Sequence, residues 1–284
     1  MRLWKIFREP ILSTLRVLSH LNPALRWQEF RYVFVLAHVR SGSSLLAHVL
    51  ASHPDFVGAG ESNIPYRTPA DFPMLILRTC WLLRQPVLHG KYIVDQINHD
   101  SKLTDEVLCS QLLHKCVILI RAPESALKSI MNLFSCEEGV ALESYVNRLN
   151  TLARYGMLLR DRALLVEYDD LVDHTEEILA ALTRFFGMER AFTSNYNTHH
   201  ATGRAGDPSD NIRSGRIIRT KGHEYSISAE TLNTASHAFR QCREQLLRSV
   251  VQARHSESNR LEKHIPPLTN ASDPPDISVR GIRR

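Results

Sequence analysis

Apolar residues along this chain fall into short unbroken runs. Tyr32–Ala37, Tyr92–Val94, Cys116–Ile120 and Leu164–Val166 place Val, Ile and Leu on consecutive positions. Strands with that pattern are buried on both faces, as in a parallel sheet. Between them, helical spacing of apolar residues predicts helices at about 44–52, 72–84, 103–114, 124–134, 141–161 and 174–186. Strand–helix alternation of this kind predicts a doubly wound α/β sheet. Such sheets bind ligands beyond the carboxyl ends of their strands, so the chemistry is sought there. Residues 188–226 break the pattern, being rich in Gly, Asn, Ser, Thr, Arg and His. They predict a long loop of the kind that often carries function. A helix is predicted over 228–251, and the polar, proline-paired sequence beyond Ala253 predicts a disordered tail.

Composition narrows the class only a little. A length of 284 residues, 43% hydrophobic and 23% charged, is that of an ordinary globular chain with a sizeable core. The predicted division is a basic helical segment over 1–30, the main domain over 31–253 and the tail over 254–284. The net charge of +5 is not spread evenly, since residues 1–31 contribute +4 and residues 254–284 contribute +2. A near-neutral body argues against a nucleic-acid-binding face. Five cysteines, none in a C-x-x-C pair, argue against a disulfide framework and for a reducing compartment. No apolar run reaches the roughly 20 residues of a membrane span, and the first 30 residues lack the form of a signal peptide. A cytoplasmic protein is expected. Residues 3–19 suit a helix packed on the domain, with an amphipathic contact to a membrane surface as the second reading. The sequon Asn270-Ala271-Ser272 has no meaning without secretion.

The first strand runs into His38-Val39-Arg40-Ser41-Gly42-Ser43-Ser44-Leu45 and then a helix. A strand, a tight turn and a helix N-terminus expose free N–H groups to an anion. Arg40 adds a fork of donors, Ser43 and Ser44 add hydroxyls, and Gly42 permits close approach of the backbone. The nucleotide-triphosphatase pattern G-x-x-x-x-G-K-[ST] is absent, which favours a phosphate ligand that needs no Mg²⁺. Helix capping by Ser43 alone is the plainer alternative.

Arg40-Ser41-Gly42-Ser43-Ser44-Leu45, then Ser52-His53-Pro54 and Gly60-Glu61, resembles the sulfotransferases that use 3′-phosphoadenylyl sulfate (PAPS). The likeness is greatest to the tyrosylprotein sulfotransferases and related bacterial enzymes, including the spacing from Arg40 to Glu61. It spans roughly residues 30–220 and implies a P-loop-like three-layer α/β/α fold with a central parallel sheet. A second block, Arg121-Ala122-Pro123 with Ser129, resembles the family's site for the cofactor's 3′-phosphate. Arg at a strand end, Pro in the first helical turn and a later Ser make a second anion site in any case. The third block, Leu165–Val172, resembles a strand whose Tyr lies near that phosphate; this implies a role for Tyr168, with packing at a strand end as the alternative. The fourth, Gly206–Gly215, resembles a loop that closes on the nucleotide and implies Ser209, Arg213 and Ser214, against a solvated turn.

The resemblance implies sulfuryl transfer from PAPS to a hydroxyl or amine, with Glu61 as general base, Arg40 neutralising charge on the leaving oxygen, and no metal. His38 and His53 are alternative bases, His53 more simply orienting its turn. His199-His200 lack a metal-ligand spacing. Two departures bear on activity: Ala122 replaces an Asp, and Gln96 follows Asp95 where related enzymes carry Lys. The alternatives are a nucleotide-binding protein without catalysis and a P-loop-like kinase. The acceptor is open among small molecules, glycans and lipids, with residues 62–90, including Tyr66, Phe72 and Trp81, as a candidate wall. Oligomeric state is not legible.

Overall fold

A computed structural model describes residues 30–219 and 225–253. The expectations for 1–29 and 254–284 lie outside these residues. The strands are β1 Arg31–Ala37, β2 Phe56–Gly58, β3 Tyr92–Ile97, β4 Leu113–Ile120, β5 Ala163–Glu167 and β6 Val251–Gln252. The α-helices are α1 Ser43–Ala51, α2 Pro73–Leu83, α3 Asp105–Cys109, α4 Pro123–Phe134, α5 Glu138–Leu159, α6 Tyr168–Asp173, α7 Thr175–Phe186 and α8 Ala229–Ser249. The strands form one sheet in the order β2-β3-β1-β4-β5-β6, and every neighbouring pair is parallel.

Alternate residues of each strand face opposite layers. Phe34 and Leu36 of β1 join the core beneath α2, α4, α5 and α8, while Val33 and Val35 join the core beneath α1 and α7. Burial on both faces is what the unbroken apolar runs demand. The result is the expected three-layer α/β/α architecture. Because β3 and β4 flank β1 on opposite sides, the chain leaves β1 and β4 in different directions. Their carboxyl ends therefore open a crevice, the usual ligand position in such sheets.

Some boundaries differ from the sequence reading. The helix expected over 103–114 is only α3, because the chain extends at Ser110 and β4 begins at Leu113. Leu113 is buried in the core while Leu112 is exposed, so the apolar pair that looked helical straddles a strand start. β2 and β6, three and two residues long, carry too few positions to show a pattern. The proposed acceptor wall is corrected: Tyr66 and Phe72 are fully buried, ringed by Phe34 and Tyr32. Trp81 is 75% exposed and lies away from the crevice. None of the helices among the described residues is long and apolar enough to cross a membrane.

Candidate active site

The crevice beyond β1 and β4 is a cleft of about 250 Å³. Arg40, Gly42, Ser43, Ser44, Leu45, Glu61, Arg121 and Tyr168 line it, joined by Asn98, His99, Tyr196, Asp207 and Arg216. Each of the first four strands thus delivers a polar side chain at its carboxyl end, by way of the loop that follows it.

The turn after β1 is shaped by two left-handed residues, Arg40 at φ 66° and Gly42 at φ 96°. Glycine is needed at position 42 for a second reason: a Cβ there would lie 2.6 Å from the Tyr168 ring. The sequence reading had this glycine admitting a ligand; its closest neighbour is an aromatic side chain. Ser41 is fully buried, and Ser43 and Ser44 open α1 with Gly42 at its N-cap. The N–H groups of that first turn have no helical acceptor and face the cleft.

Arg121 crosses from β4 to this turn. Its Nη1 donates to the Arg40 carbonyl at 3.0 Å, its Nε donates to Ser125 Oγ at 3.0 Å, and its guanidinium stacks 4.1 Å over Tyr168. No carboxylate among the described residues forms an ion pair with it. Burial lowers its pKa, with Arg40 and Arg219 adding to the effect and Tyr168 and Asp169 opposing it. An arginine stays protonated regardless, so this is a half-buried cation hydrogen-bonded to neutral oxygens, with the nearby Asp169 carboxylate paired instead to Arg219.

Arg40 is differently placed. Its Nε donates to Ser129 Oγ at 2.9 Å, and its Nη1 pairs with Asp207 at 2.8 Å. Ser129 therefore meets the first anion turn through Arg40. Burial raises the Asp207 carboxyl, but Arg40 and hydrogen bonds from Ser209 together outweigh it and leave the carboxyl below its usual range. The Asp207 N–H donates to Ser44 Oγ at 2.9 Å, and Gln96 Nε2 donates to the same hydroxyl at 3.2 Å. Gln96 thus supports Ser44 and brings no charge.

Glu61 is presented by a turn that needs Gly60, where φ is 88° and a Cβ would come within 2.2 Å of the Ala205 carbonyl. The Glu61 N–H donates to that carbonyl at 3.3 Å. The next residue anchors the turn, with the Ser62 N–H donating to buried Asp95 at 2.9 Å. Asn98 Nδ2 donates to Glu61 Oε2 at 3.3 Å. Burial raises the Glu61 pKa, offset in part by Asn98 and Lys102. A carboxylate poised above its ordinary range, in a cleft, has the character of a proton acceptor.

The two histidines weighed as bases are committed elsewhere. His38 Nε2 accepts from the Arg121 N–H at 3.0 Å while Nδ1 donates to the Val39 carbonyl at 2.9 Å. Burial pushes its pKa down to about 4. His53 accepts from the Asp55 N–H and donates to the Arg190 carbonyl, which fixes its turn.

The long loop returns across the site as a strap. Its base is pinned where the Tyr196 N–H meets the Gly215 carbonyl at 2.9 Å. Neutral His48 Nδ1 donates to the Ser44 carbonyl, its Nε2 accepts from Thr202 Oγ1, and its ring stacks on His199. Of the strap residues expected to bind a nucleotide, Ser209 donates its N–H to Asp207. Arg213 packs over Gly203, and Ser214 Oγ donates to the Arg216 carbonyl. None of these three lines the cleft; Arg216, two residues past Ser214, does. Asp207 lies in the same block and was not singled out. Asn98 and His99 have no local signal.

Three buried polar atoms beside the cleft lack a hydrogen-bond partner among the described residues: Ser41 Oγ, Gln96 Oε1 and Asn98 Oδ1. Of the three, only the Ser41 hydroxyl can donate to an anion; the two amide oxygens are acceptors and call for a donor group on a ligand.

No protein-family model matches the chain, and no curated protein matches it. Among solved structures the chain is similar to the crystal structure of a sulfotransferase from Alicyclobacillus acidocaldarius. The identity is 11%, the match covers 76% of this chain and 94% of that one, and the TM-score is 0.44. The fold therefore stands on the strand order and pairing described above.

Proposed function

We propose that this chain is a PAPS-dependent sulfotransferase, moving the sulfuryl group to an acceptor hydroxyl, or an amine, with Glu61 as general base. The observation that carries the reading is the meeting of two anion sites from distant parts of the sequence. Arg121, at the end of β4, reaches the Arg40 turn at the end of β1 and holds a positive charge beside it that is in no direct ion pair among the described residues. A donor with two separated anionic groups calls for two adjoining sites. In this reading Arg121 with Ser129 and Tyr168 holds the nucleotide's 3′-phosphate side. The α1 N-terminus, with Ser43, Ser44 and Arg40, holds the phosphosulfate. The acceptor oxygen forms its bond to sulfur as the bond from sulfur to the bridging phosphate oxygen breaks. Glu61 takes the acceptor's proton, and Arg40 offsets charge on the departing oxygen. Positioning and charge supply the rate in such transfers, as in phosphoryl transfer.

The Asp207–Arg40 pair and the uncharged Gln96 favour a second reading, a binder of the same nucleotide without turnover. Two measurements separate the cases. Wild-type protein is titrated with 3′-phosphoadenosine 5′-phosphate (PAP) without added metal, and PAPS turnover is compared with Glu61→Gln. Micromolar PAP binding, with turnover reduced about 10²–10⁴-fold in the variant, is expected. Binding without turnover in wild type supports the second reading. Absence of PAP binding, with ATP binding in Mg²⁺, overturns both and leaves the kinase.

A further inference from the structure

The strand β3 carries a carboxylate where its pattern calls for an apolar side chain. Ile93 and Ile97 belong to the core beneath α2, α4, α5 and α8, and Asp95 stands between them, 1% exposed. Alternate strand residues share a face, so Asp95 enters that same layer. Its oxygens take three neutral donors, all from the segment that follows Glu61. The Ser62 N–H donates to Oδ1 at 2.9 Å. The Ser62 hydroxyl and the Tyr66 hydroxyl, the latter at 2.7 Å, donate to Oδ2. The Ile64 N–H donates to Ser62 Oγ at 3.2 Å, which leaves the hydroxyl proton for Asp95. One buried side chain thus holds the chain immediately after Glu61. Burying a charge costs stability, and apolar packing at such positions is often the more stable choice, so stability alone does not account for the group.

Resting on the sulfuryl-transfer reading, we propose that Asp95 is a positioning residue for the transfer: it fixes the turn that presents Glu61 and sets a negative charge near the base. Both of its oxygens accept, so an amide in its place would set an N–H against one of the donors. Burial pushes the Asp95 carboxyl up to about 6; its Ser62 and Tyr66 donors oppose the rise, and repulsion from Glu61 adds to it. That repulsion is mutual, so ionised Asp95 makes Glu61 the stronger base. Asn98 and Lys102 favour the Glu61 anion, His99 lines the same cleft, and Arg78 of α2 donates to the Ser62 carbonyl. All four are retained in Asp95→Asn, so a change in the Glu61 titration reports Asp95.

The test compares wild type with Asp95→Asn in the full chain. Carbon-13 NMR of glutamate-labelled protein reads the Glu61 titration without turnover, the signal being assigned by its absence from Glu61→Gln. PAPS turnover is read as PAP formed over 2-naphthol, methyl glucoside and glucosamine, and calorimetry reads PAP affinity. Expected in the variant are a Glu61 midpoint moved down, turnover lowered at least about tenfold, and PAP affinity within about twofold of wild type. An unchanged midpoint, turnover within about threefold of wild type, or a loss of PAP affinity as large as the loss of turnover overturns the proposal. If Asp95→Asn melts below the assay temperature, Ser62→Ala decides, since it removes one hydroxyl bond and keeps the carboxylate. Turnover should then fall about threefold or more with PAP affinity kept, and unchanged turnover overturns the proposal. If wild type turns over no PAPS while Asp95→Asn still moves the Glu61 midpoint, the transfer reading falls and the coupling of the two carboxylates stands.

Discussion

Arg121→Ala separates ligand binding from folding more cleanly than any other change at the site. In the free protein the guanidinium makes two hydrogen bonds to neutral oxygens and one stacking contact. Removing these costs about 1 kcal/mol each. Against that loss stands the relief of a half-buried charge in no direct ion pair, itself about 1–3 kcal/mol. The two nearly cancel, so stability should change by no more than about 1 kcal/mol. With a nucleotide phosphate in place the balance is different, because each charge-assisted bond contributes about 1.5–3 kcal/mol. Losing two of them, with imperfect additivity, costs about 3 kcal/mol, or roughly 150-fold in Kd. Calorimetric titration with PAP reads the affinity, and urea denaturation reads the stability. Arg121→Lys keeps the charge but loses the fork and should fall between, at about tenfold. The reasoning is refuted if Arg121→Ala binds PAP within about threefold of wild type, above all if it melts early. Arg121 would then be a strut for the Arg40 turn.

Gly42→Ala should destabilise by about 2–5 kcal/mol, combining a left-handed backbone with a Cβ driven into the Tyr168 ring; a cost below about 1 kcal/mol in urea would contradict this. Arg148 is buried beneath the site, donating to the carbonyls of Ala37 and Ile97 at the ends of β1 and β3 and to Asp100. Arg148→Met should lose about 3–5 kcal/mol in the same assay, because those acceptors are left dry. Since burial raises the Glu61 pKa, kcat/KM should rise with pH along a limb placed above the ordinary carboxylate value of about 4.3, and Glu61→Gln should abolish that limb. The same sign means that folded protein binds this proton more tightly than unfolded protein. Stability conferred at low pH is lost as pH rises through the folded pKa, so Glu61→Gln should be the more stable at neutral pH by chemical denaturation.

What could be read from the sequence was whatever is encoded by neighbours in the chain. The strand cores, the tight turn after β1 and the two arginines at strand ends follow from local pattern and from the rule that ligands sit at carboxyl edges. Residues joined only by folding left no such trace. Asp207 reaches Arg40 across 167 positions and Asn98 reaches Glu61 across 37, and nothing local to any of these side chains signals the partner. Hydrophobicity was ambiguous for another reason. Tyr66 and Phe72 have the composition of a ligand wall and the burial of a core, while Leu133 and Phe134 read as an ordinary helix end and yet line the cleft. Apolar character says that a side chain must be covered; only packing says by what.

The strap connects these observations. Three consecutive residues, Ala205 to Asp207, touch both halves of the site. Ala205 takes the Glu61 N–H, and Asp207 gives its own N–H to Ser44 and its carboxylate to Arg40. The strand between them, β3, already ties both turns, since Asp95 takes the Ser62 N–H next to Glu61 and Gln96 donates to Ser44. The strap adds a second tie between base turn and anion turn, through one short piece of backbone. A glycine at position 60 is the condition for that contact, because any side chain there would push Ala205, and with it Asp207, off the anion turn. The carboxylate that completes the strap also occupies Arg40, so a phosphate bound as proposed would share that arginine with it. On that reading, geometry for the transfer and affinity for the nucleotide are set by the same residue and pull in opposite directions.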